Sequence, residues 1–180
     1  VWPSAYAACA ALERIASERK RPPTVLELGC GAGLPSLYSS IVLKSPHVVA
    51  TDVEAVPLAF LEAARGAHVE TGSFATCTLD VTYAAVDDIR GFDVVVCADM
   101  LYNTDVATSL GALLGAAACG AGAPEFVVCD PGRRGRDHFL DAFGAASGLS
   151  PMFVDQAVPD GCVDVFDGTP IGAVGVLAAR

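Results

Sequence analysis

Apolar and polar positions follow two patterns along the chain. Short apolar runs bounded by Gly, Pro or acidic residues predict buried β-strands, and they lie at 24–28, 47–51, 74–79, 92–97, 125–129, 152–157 and 171–178. Stretches in which apolar residues recur every three or four positions predict amphipathic helices, and they lie at 4–19, 33–43, 54–65, 103–118 and 136–146. In the first helix, for example, Ala8, Leu12 and Ile15 fall on one face.

The order of these elements predicts the fold class. Strands that alternate with helices of about 10–15 residues are typical of βαβ units, and so of a mostly parallel sheet. The last two strands have no predicted helix between them, which indicates an antiparallel hairpin. We expect an α/β fold: a Rossmann-like open sheet, mostly parallel, with a C-terminal antiparallel hairpin and helices on both faces. A length of 180 residues fits one domain, residues 1–180.

The net charge limits the kinds of partner. The chain has 11 Lys and Arg against 21 Asp and Glu, a formal charge of −10, whereas nucleic-acid binding depends on cations that neutralise phosphates. We interpret the one compact basic cluster, Arg133, Arg134 and Arg136, as a solvated turn rather than a contact for an acidic patch of a protein. No uncharged apolar stretch reaches about 18 residues. We therefore expect neither a nucleic-acid nor a membrane partner.

Cysteine and histidine do not form a metal-binding pattern. The seven cysteines include no C-x-x-C pair, and several lie in apolar runs, where a free thiol behaves as a small buried hydrophobe. His47, His68 and His138 are scattered. We predict no metal site and a reducing compartment, either the cytoplasm or the mitochondrion. The sequence begins at Val1 without a signal-peptide pattern, and we expect it to be a fragment or a processed form.

Acidic residues mark the carboxyl ends of the predicted strands. Asp52, Asp80, Asp99 and Asp130 lie at or just after the ends of four strands, and Glu27 lies within the first. In open α/β sheets, ligands bind beyond the carboxyl ends of the strands. The acids therefore predict a ligand site at one edge of the sheet.

The segment 29–33, Gly-Cys-Gly-Ala-Gly, is the strongest local signal. It follows a strand and opens a helix, where glycines allow a tight turn and a close approach of the backbone to a ligand; a plain glycine-rich turn is the alternative. A dinucleotide site requires G-x-G-x-x-G, but Leu34 occupies the sixth position. The carboxylate of Glu27 would also repel a pyrophosphate, although it could pair with a cationic ligand.

Three residues near this segment have two interpretations each. Asp52 lies where nucleotide sites of this kind hold a ribose hydroxyl, or it caps the helix that starts near residue 54. Asp80 accepts a hydrogen bond from an adenine amino group, or it is an ordinary loop acid. Cys30 lies at a helix N-terminus, which can lower a thiol pKa, but we favour a small loop residue over a nucleophile.

These motifs resemble the class I, seven-β-strand methyltransferases that use S-adenosylmethionine. The resemblance rests on E-L-G-C-G-A-G at 27–33 and on Asp52 and Asp80 at successive strand ends. It implies S-adenosylmethionine as the cofactor, with the ribose held by Asp52, the adenine by the loop of Asp80 and the methionine part by the glycine loop. The cofactor-binding residues predicted in and before that loop are Glu27, Gly29, Cys30, Gly31 and Gly33.

Three further segments narrow the resemblance. They are Val1-Trp2-Pro3 before the first helix, Asp99-Met100-Leu101-Tyr102 after the fourth strand and Asp130-Pro131-Gly132-Arg133 after the fifth. Together they resemble the protein-lysine methyltransferases with a D-x-x-Y motif, and in particular the electron-transfer-flavoprotein β-subunit lysine methyltransferase type. That branch implies cofactor contacts from Trp2, Val81 and Ala98.

Asp99 and Tyr102 are the candidate catalytic residues. A lysine acceptor must lose its proton first, because an ammonium group has no lone pair and its unperturbed pKa is about 10.4. We predict that Asp99 orients the acceptor amine and that Tyr102 forms the channel wall and a hydrogen bond. The alternatives are a strand-end cap for Asp99 and an aromatic core residue for Tyr102.

The sequence thus predicts a methyltransferase that acts on the lysine side-chain nitrogen of a protein substrate, and we expect a monomer. A small-molecule N- or O-methyltransferase of the same fold is the first alternative. A non-catalytic domain that binds a cofactor or a partner is the second, and an NAD-dependent oxidoreductase is the last.

Overall fold

The computed structural model describes residues 2–66, 72–164 and 167–179, so Val1 and His68 lie outside the described parts. The strands are β1 Val25–Leu28, β2 His47–Asp52, β3 Ser73–Thr78, β4 Val94–Ala98, β5 Glu125–Asp130, β6 Pro151–Ala157 and β7 Ala173–Ala179. The helices are α1 Pro3–Ser17, α2 Leu34–Ile41, α3 Ala55–Gly66, α4 Val86–Ile89, α5 Thr104–Ala117 and α6 Arg136–Ser147.

The strands form one seven-stranded sheet in the order β3-β2-β1-β4-β5-β7-β6. Strands β1 to β5 run parallel to their neighbours, whereas β7 is antiparallel to both β5 and β6. This confirms the predicted open, mostly parallel sheet and its C-terminal antiparallel hairpin. The order also places β1 and β4 side by side at the centre, with their carboxyl ends at the same edge.

Helices cover both faces of the sheet, as predicted. Successive strand residues point to opposite faces, so Val94 and Val96 contact the core cluster of α1, α2 and α3. Val95 and Cys97 contact the cluster of α4, α5 and α6 on the other face. The central strands are therefore buried on both sides, which explains their continuous apolar sequence.

The observed elements differ from the predicted ones mainly at their ends. The helix predicted at 103–118 begins at Thr104, because Asn103 is its N-cap and accepts hydrogen bonds from the backbone N–H groups of Asp105 and Val106. Helix α4 was not predicted, since four residues are too few to show a helical period. Among the described residues, no helix combines the length and the apolar character needed to cross a membrane.

Glycines let α5 and α6 approach closely on the second face. A Cβ built on Gly115 would lie 2.6 Å from the carbonyl oxygen of Phe143, and one on Gly111 would meet the carbonyl oxygen of Phe139. Both contacts are with backbone, which cannot move without displacing α6.

We therefore expect Gly115→Ala to destabilise the protein by about 1–3 kcal/mol through overpacking. In an unobstructed helix the same change is favourable by about 1 kcal/mol, so the sign of the effect is diagnostic. Urea unfolding of the two proteins measures it, and a stabilised variant would contradict the close helix contact.

Candidate active site

A cavity of about 400 Å³ opens at the carboxyl ends of the parallel strands, within the range of roughly 300–1,000 Å³ typical of small-molecule sites. The structure brings together in its lining every site residue predicted above. These are Trp2, Glu27, Gly29, Cys30, Gly31, Gly33, Asp52, Asp80, Val81, Ala98, Asp99 and Tyr102. Their individual roles remain predictions. Except for Trp2, which precedes α1, their placement follows from the parallel order of β1, β2, β3 and β4.

The glycine loop has a backbone conformation that residues other than glycine seldom adopt. Gly29, Gly31 and Gly33 have φ values of 61°, 48° and 67°, in the left-handed region that favours glycine. A Cβ on Gly29 would lie 2.7 Å from the sulfur of Met100, and one on Gly33 would lie 2.6 Å from Leu61. A Cβ on Gly31 would meet nothing within 4 Å. The space above Gly31 is therefore open for a ligand to approach the backbone.

Asp52 fastens this loop to the start of α3. One carboxylate oxygen accepts the N–H of Gly31 at 2.9 Å, and the other accepts the N–H of Glu54 at 3.0 Å. The second contact closes a turn before α3, which begins at Ala55, so it is not the predicted N-cap bond to the second or third helical N–H. Each carboxylate oxygen has a second acceptor position, so these bonds leave the predicted ribose contact geometrically possible.

Asp80 forms a local turn after β3. One of its oxygens accepts the N–H of Thr82 at 2.9 Å and the Thr82 hydroxyl at 2.7 Å. These hydrogen bonds lower the pKa of the Asp80 carboxyl from its ordinary value. The turn carries Val81, which is buried, into the cavity lining beside it. An ionised acceptor and an apolar side chain thus lie together where an adenine contact is predicted.

Glu27 is buried behind the glycine loop and bonded to α2. Its Oε2 accepts the N–H of Ser36 at 2.9 Å and also the Ser36 hydroxyl. Burial raises the pKa of Glu27 to about 8 despite these bonds. The side chain is therefore mostly protonated near pH 7, so the sequence argument that its charge would repel a pyrophosphate is wrong, because that argument assumed a solvated carboxylate.

The thiol of Cys30 is also buried, and burial together with the nearby Glu27 and Asp52 raises its pKa to about 12. A thiol in this state is not a nucleophile at neutral pH. The interpretation of Cys30 as a small loop residue agrees with this environment.

Asp99 and Tyr102 form the wall of the cavity after β4. Asp99 is buried and has φ of 61°, a left-handed conformation in a non-glycine residue, whereas Tyr102 is 54% exposed. Tyr102 is thus a rim residue, and the interpretation as aromatic core is wrong. Both carboxylate oxygens of Asp99 are bonded to Arg133, with Nε to Oδ1 at 2.7 Å and Nη2 to Oδ2 at 3.1 Å.

The basic cluster after β5 is not the solvated turn that we interpreted from the sequence. Arg133 is paired with Asp99, Arg136 with the buried Asp130, and Arg134 donates to the carbonyl oxygen of Tyr102. Acids draw the guanidinium groups of Arg133 and Arg136 inward, a long-range effect that the local sequence does not show, whereas Arg134 stays exposed.

The cavity includes residues that the sequence did not indicate. Val53, Leu79, Thr82 and Met100 are each within two positions of a predicted strand-end acid and could have been found from that proximity. Ala5 and Val106 come from α1 and α5 and had no local signal. The full set of additional lining residues is Ala5, Ala32, Leu34, Val53, Leu79, Thr82, Met100 and Val106.

Over residues 2–66, 72–164 and 167–179, no group of three or more His, Cys, Asp or Glu is arranged to hold a metal ion.

Solved structures share the fold of this chain. The fold is similar to that of the magnesium protoporphyrin IX methyltransferase of Synechocystis with bound S-adenosylmethionine, with a TM-score of 0.67 and 13% identity over 99% of this chain and 80% of that chain. It is also similar to a candidate RNA methyltransferase from Pyrococcus horikoshii, with a TM-score of 0.64 and 15% identity over 97% of this chain and 83% of that chain. The fold is that of the class I methyltransferases.

The chain belongs to the lysine methyltransferase family, whose sequence model matches residues 1–143. It is a methyltransferase that uses S-adenosylmethionine. The open space above Gly31 and the acids beside it fit this cofactor. Comparison with curated protein sequences gives no match.

We expect Gly31→Arg to weaken binding of S-adenosylhomocysteine by at least about 100-fold, close to 3 kcal/mol, because the new side chain fills the open space above the loop. Calorimetry with S-adenosylmethionine, S-adenosylhomocysteine and NAD measures the change.

Gly148→Arg is the matched control for backbone strain. Gly148 also has positive φ, at 72°, and open space around its Cβ position, but it lies outside the cavity lining. If both variants bind the cofactor like the wild type, the cavity is not the cofactor site.

The raised pKa of Glu27 predicts that the stability of the protein depends on pH. Its pKa is about 8 in the folded protein, above the ordinary value of 4.5, so between these values only the folded state retains the proton. Protonated Glu27 makes its whole contribution to the free energy of unfolding below pH 4.5. As the pH rises from 4.5 to about 8, this contribution decreases by about 1.4 kcal/mol per pH unit.

Glu27→Gln should remove this contribution, so the stability of the wild type relative to the variant should fall as the pH rises from about 5.5 to about 7.5. Urea unfolding at the two pH values gives the difference, and the exposed Glu18→Gln serves as control. A difference independent of pH would show that Glu27 is ionised throughout.

Proposed function

We propose that this methyltransferase transfers the methyl group to the side-chain nitrogen of a lysine in a protein substrate. The main observation that supports this proposal is the wall formed by Asp99 and Tyr102. It extends from a buried carboxylate to a half-exposed phenol within one cavity. The family match over residues 1–143 supports the same acceptor.

The wall suits a primary amine. S-Adenosylmethionine supplies an electrophilic methyl group when bound, and the protein has to align the acceptor nitrogen with it. Carboxylate oxygens of Asp99 that remain open to a second hydrogen bond can accept the N–H of the amine and orient its lone pair. Burial in the cavity disfavours the charged ammonium form, which opposes the preference of the Asp99 carboxylate for that form.

The local charge suits a cationic side chain as it arrives. Arg133 is paired with two carboxylates, those of Asp99 and Asp164, which leaves the group of three with one net negative charge. Opposite charge steers a lysine towards the cavity before its proton is lost. An acidic protein also favours a basic partner over a nucleic acid.

The rim suits a macromolecular acceptor. Val53 and Tyr102 line the cavity, yet they are 57% and 54% exposed. Both side chains are therefore accessible to a partner that approaches the cavity. We propose a monomer that acts in the cytoplasm or the mitochondrion without nucleic acid or membrane as a partner.

A small-molecule acceptor is the second candidate. It is supported by the likeness of the fold to an enzyme named for magnesium protoporphyrin IX, and the same cavity could take a small amine or hydroxyl compound.

The test is transfer of tritiated methyl from S-adenosylmethionine in a cell extract. Radioactivity in the protein fraction, recovered as methyl-lysine after acid hydrolysis, supports the proposal. Radioactivity only in the small-molecule fraction favours the second candidate. Heat-treated enzyme and Gly31→Arg are the controls, and cofactor binding without any transfer would contradict both candidates.

Asp99→Asn should reduce the rate of methyl transfer by about 100-fold or more, since the amide loses the charge and one of the two acceptor oxygens. Binding of S-adenosylhomocysteine should change by less than about threefold. Asparagine tolerates the left-handed backbone at this position, so the fold should survive. Asp141→Asn on the exposed side of α6 is the charge-matched control, and transfer at the wild-type rate in Asp99→Asn would remove Asp99 from the mechanism.

A further inference from the structure

Arg133 joins four segments of the chain at the cavity. It lies in the turn after β5, and its guanidinium bonds both oxygens of Asp99 after β4. Its Nη1 donates to Asp164 in the connection between β6 and β7, at 2.5 Å. Its Cζ lies 5.7 Å from the centre of the Trp2 ring at the start of α1, within the range of a cation–π contact.

The turn that contains Arg133 is itself held in place by Asp130. The carboxylate of the buried Asp130 accepts the backbone N–H groups of Gly132 and Arg133, and it also accepts the side chain of Arg136. The base of the Arg133 side chain is therefore fixed, and its guanidinium has limited freedom to follow Asp99 if that carboxylate moves.

Asp99 needs such support. Its left-handed backbone, with φ of 61°, is uncommon in a residue with a Cβ, although Asp and Asn adopt it more readily than other such residues. A strained residue at a functional site persists only where its surroundings hold it. The N–H of Asp99 donates to the carbonyl oxygen of Cys129, and the two-point bond to Arg133 fixes the carboxylate.

We propose that Arg133 is a positioning residue, which sets the orientation of the Asp99 carboxylate towards the acceptor amine and is itself anchored by Asp164 and Trp2. This inference rests on the proposed transfer to lysine. A planar guanidinium holds a carboxylate at both oxygens, which a lysine ammonium cannot do. Arg133 uses one acceptor position on each Asp99 oxygen, so the remaining lone pairs face a defined direction.

The experiment compares Arg133→Lys, Arg133→Gln and Asp164→Asn with the wild type. It measures the rate of methyl transfer to the labelled extract protein as a function of its amount, the affinity for S-adenosylhomocysteine, and the fluorescence of Trp2, which is the only tryptophan of the chain. Arg14→Gln is the control for loss of one positive charge, since the Arg14 side chain is exposed and pairs with the exposed Glu18.

We expect both Arg133 variants to lower the maximal transfer rate by about tenfold or more, with a smaller effect of Asp164→Asn. Cofactor affinity should stay within about threefold. The double variant Asp99→Asn with Arg133→Gln should be no slower than Asp99→Asn alone, because Arg133 acts through Asp99. The emission of Trp2 should shift in Arg133→Gln and not in Arg14→Gln.

Three results would overturn the inference. They are wild-type transfer in Arg133→Gln, a loss of cofactor affinity as large as the loss of rate, or effects of Asp99 and Arg133 that multiply in the double variant. If the wild type labels no protein, the proposed function fails, and the fluorescence then decides whether Trp2 anchors Arg133. An unchanged emission spectrum in Arg133→Gln would reject that anchor as well.

Discussion

Carboxylates at the carboxyl ends of the strands satisfy the backbone of the loops that form the cavity. Where a parallel strand ends, the following N–H groups have no ladder partner, and a buried N–H without an acceptor is costly. Asp52 accepts the N–H groups of Gly31 and Glu54, and Asp130 accepts those of Gly132 and Arg133. The same acids that suggest a ligand site therefore also build the loops that would hold the ligand.

This double use explains why structural and functional interpretations of these acids are compatible. A carboxylate has about four acceptor positions, and the loops use only part of them. Asp52 can close the turn before α3 and still face a cofactor, and Asp99 can bond Arg133 and still accept from an amine. The loop bonds fix the direction of the remaining lone pairs, which is what positioning a reactant requires.

Burial separates the acids chemically although their positions in the sequence look alike. Glu27 lies in the apolar interior, where its carboxyl accepts two hydrogen bonds from Ser36, and burial raises its pKa to about 8. Asp80 lies half-buried at the cavity and accepts two hydrogen bonds from Thr82, which lower its pKa. One carboxyl is therefore largely neutral and the other ionised around the same cavity, so a bound cofactor would meet a neutral group behind the glycine loop and a charge at the opposite end.

The sequence by itself determined the strands, the turn at Gly29–Gly33 and the edge of the sheet at which the candidate site lies. It could do so because strand and turn patterns are local, and because parallel strands necessarily bring their carboxyl ends to one edge. Only the tertiary structure decided that Arg133 pairs with Asp99 and Asp164, that Glu27 loses its contact with solvent, and that Val106 enters the cavity from α5. These features depend on which distant segments pack together and on how completely they exclude water, and neither property is encoded in the spacing of neighbouring residues.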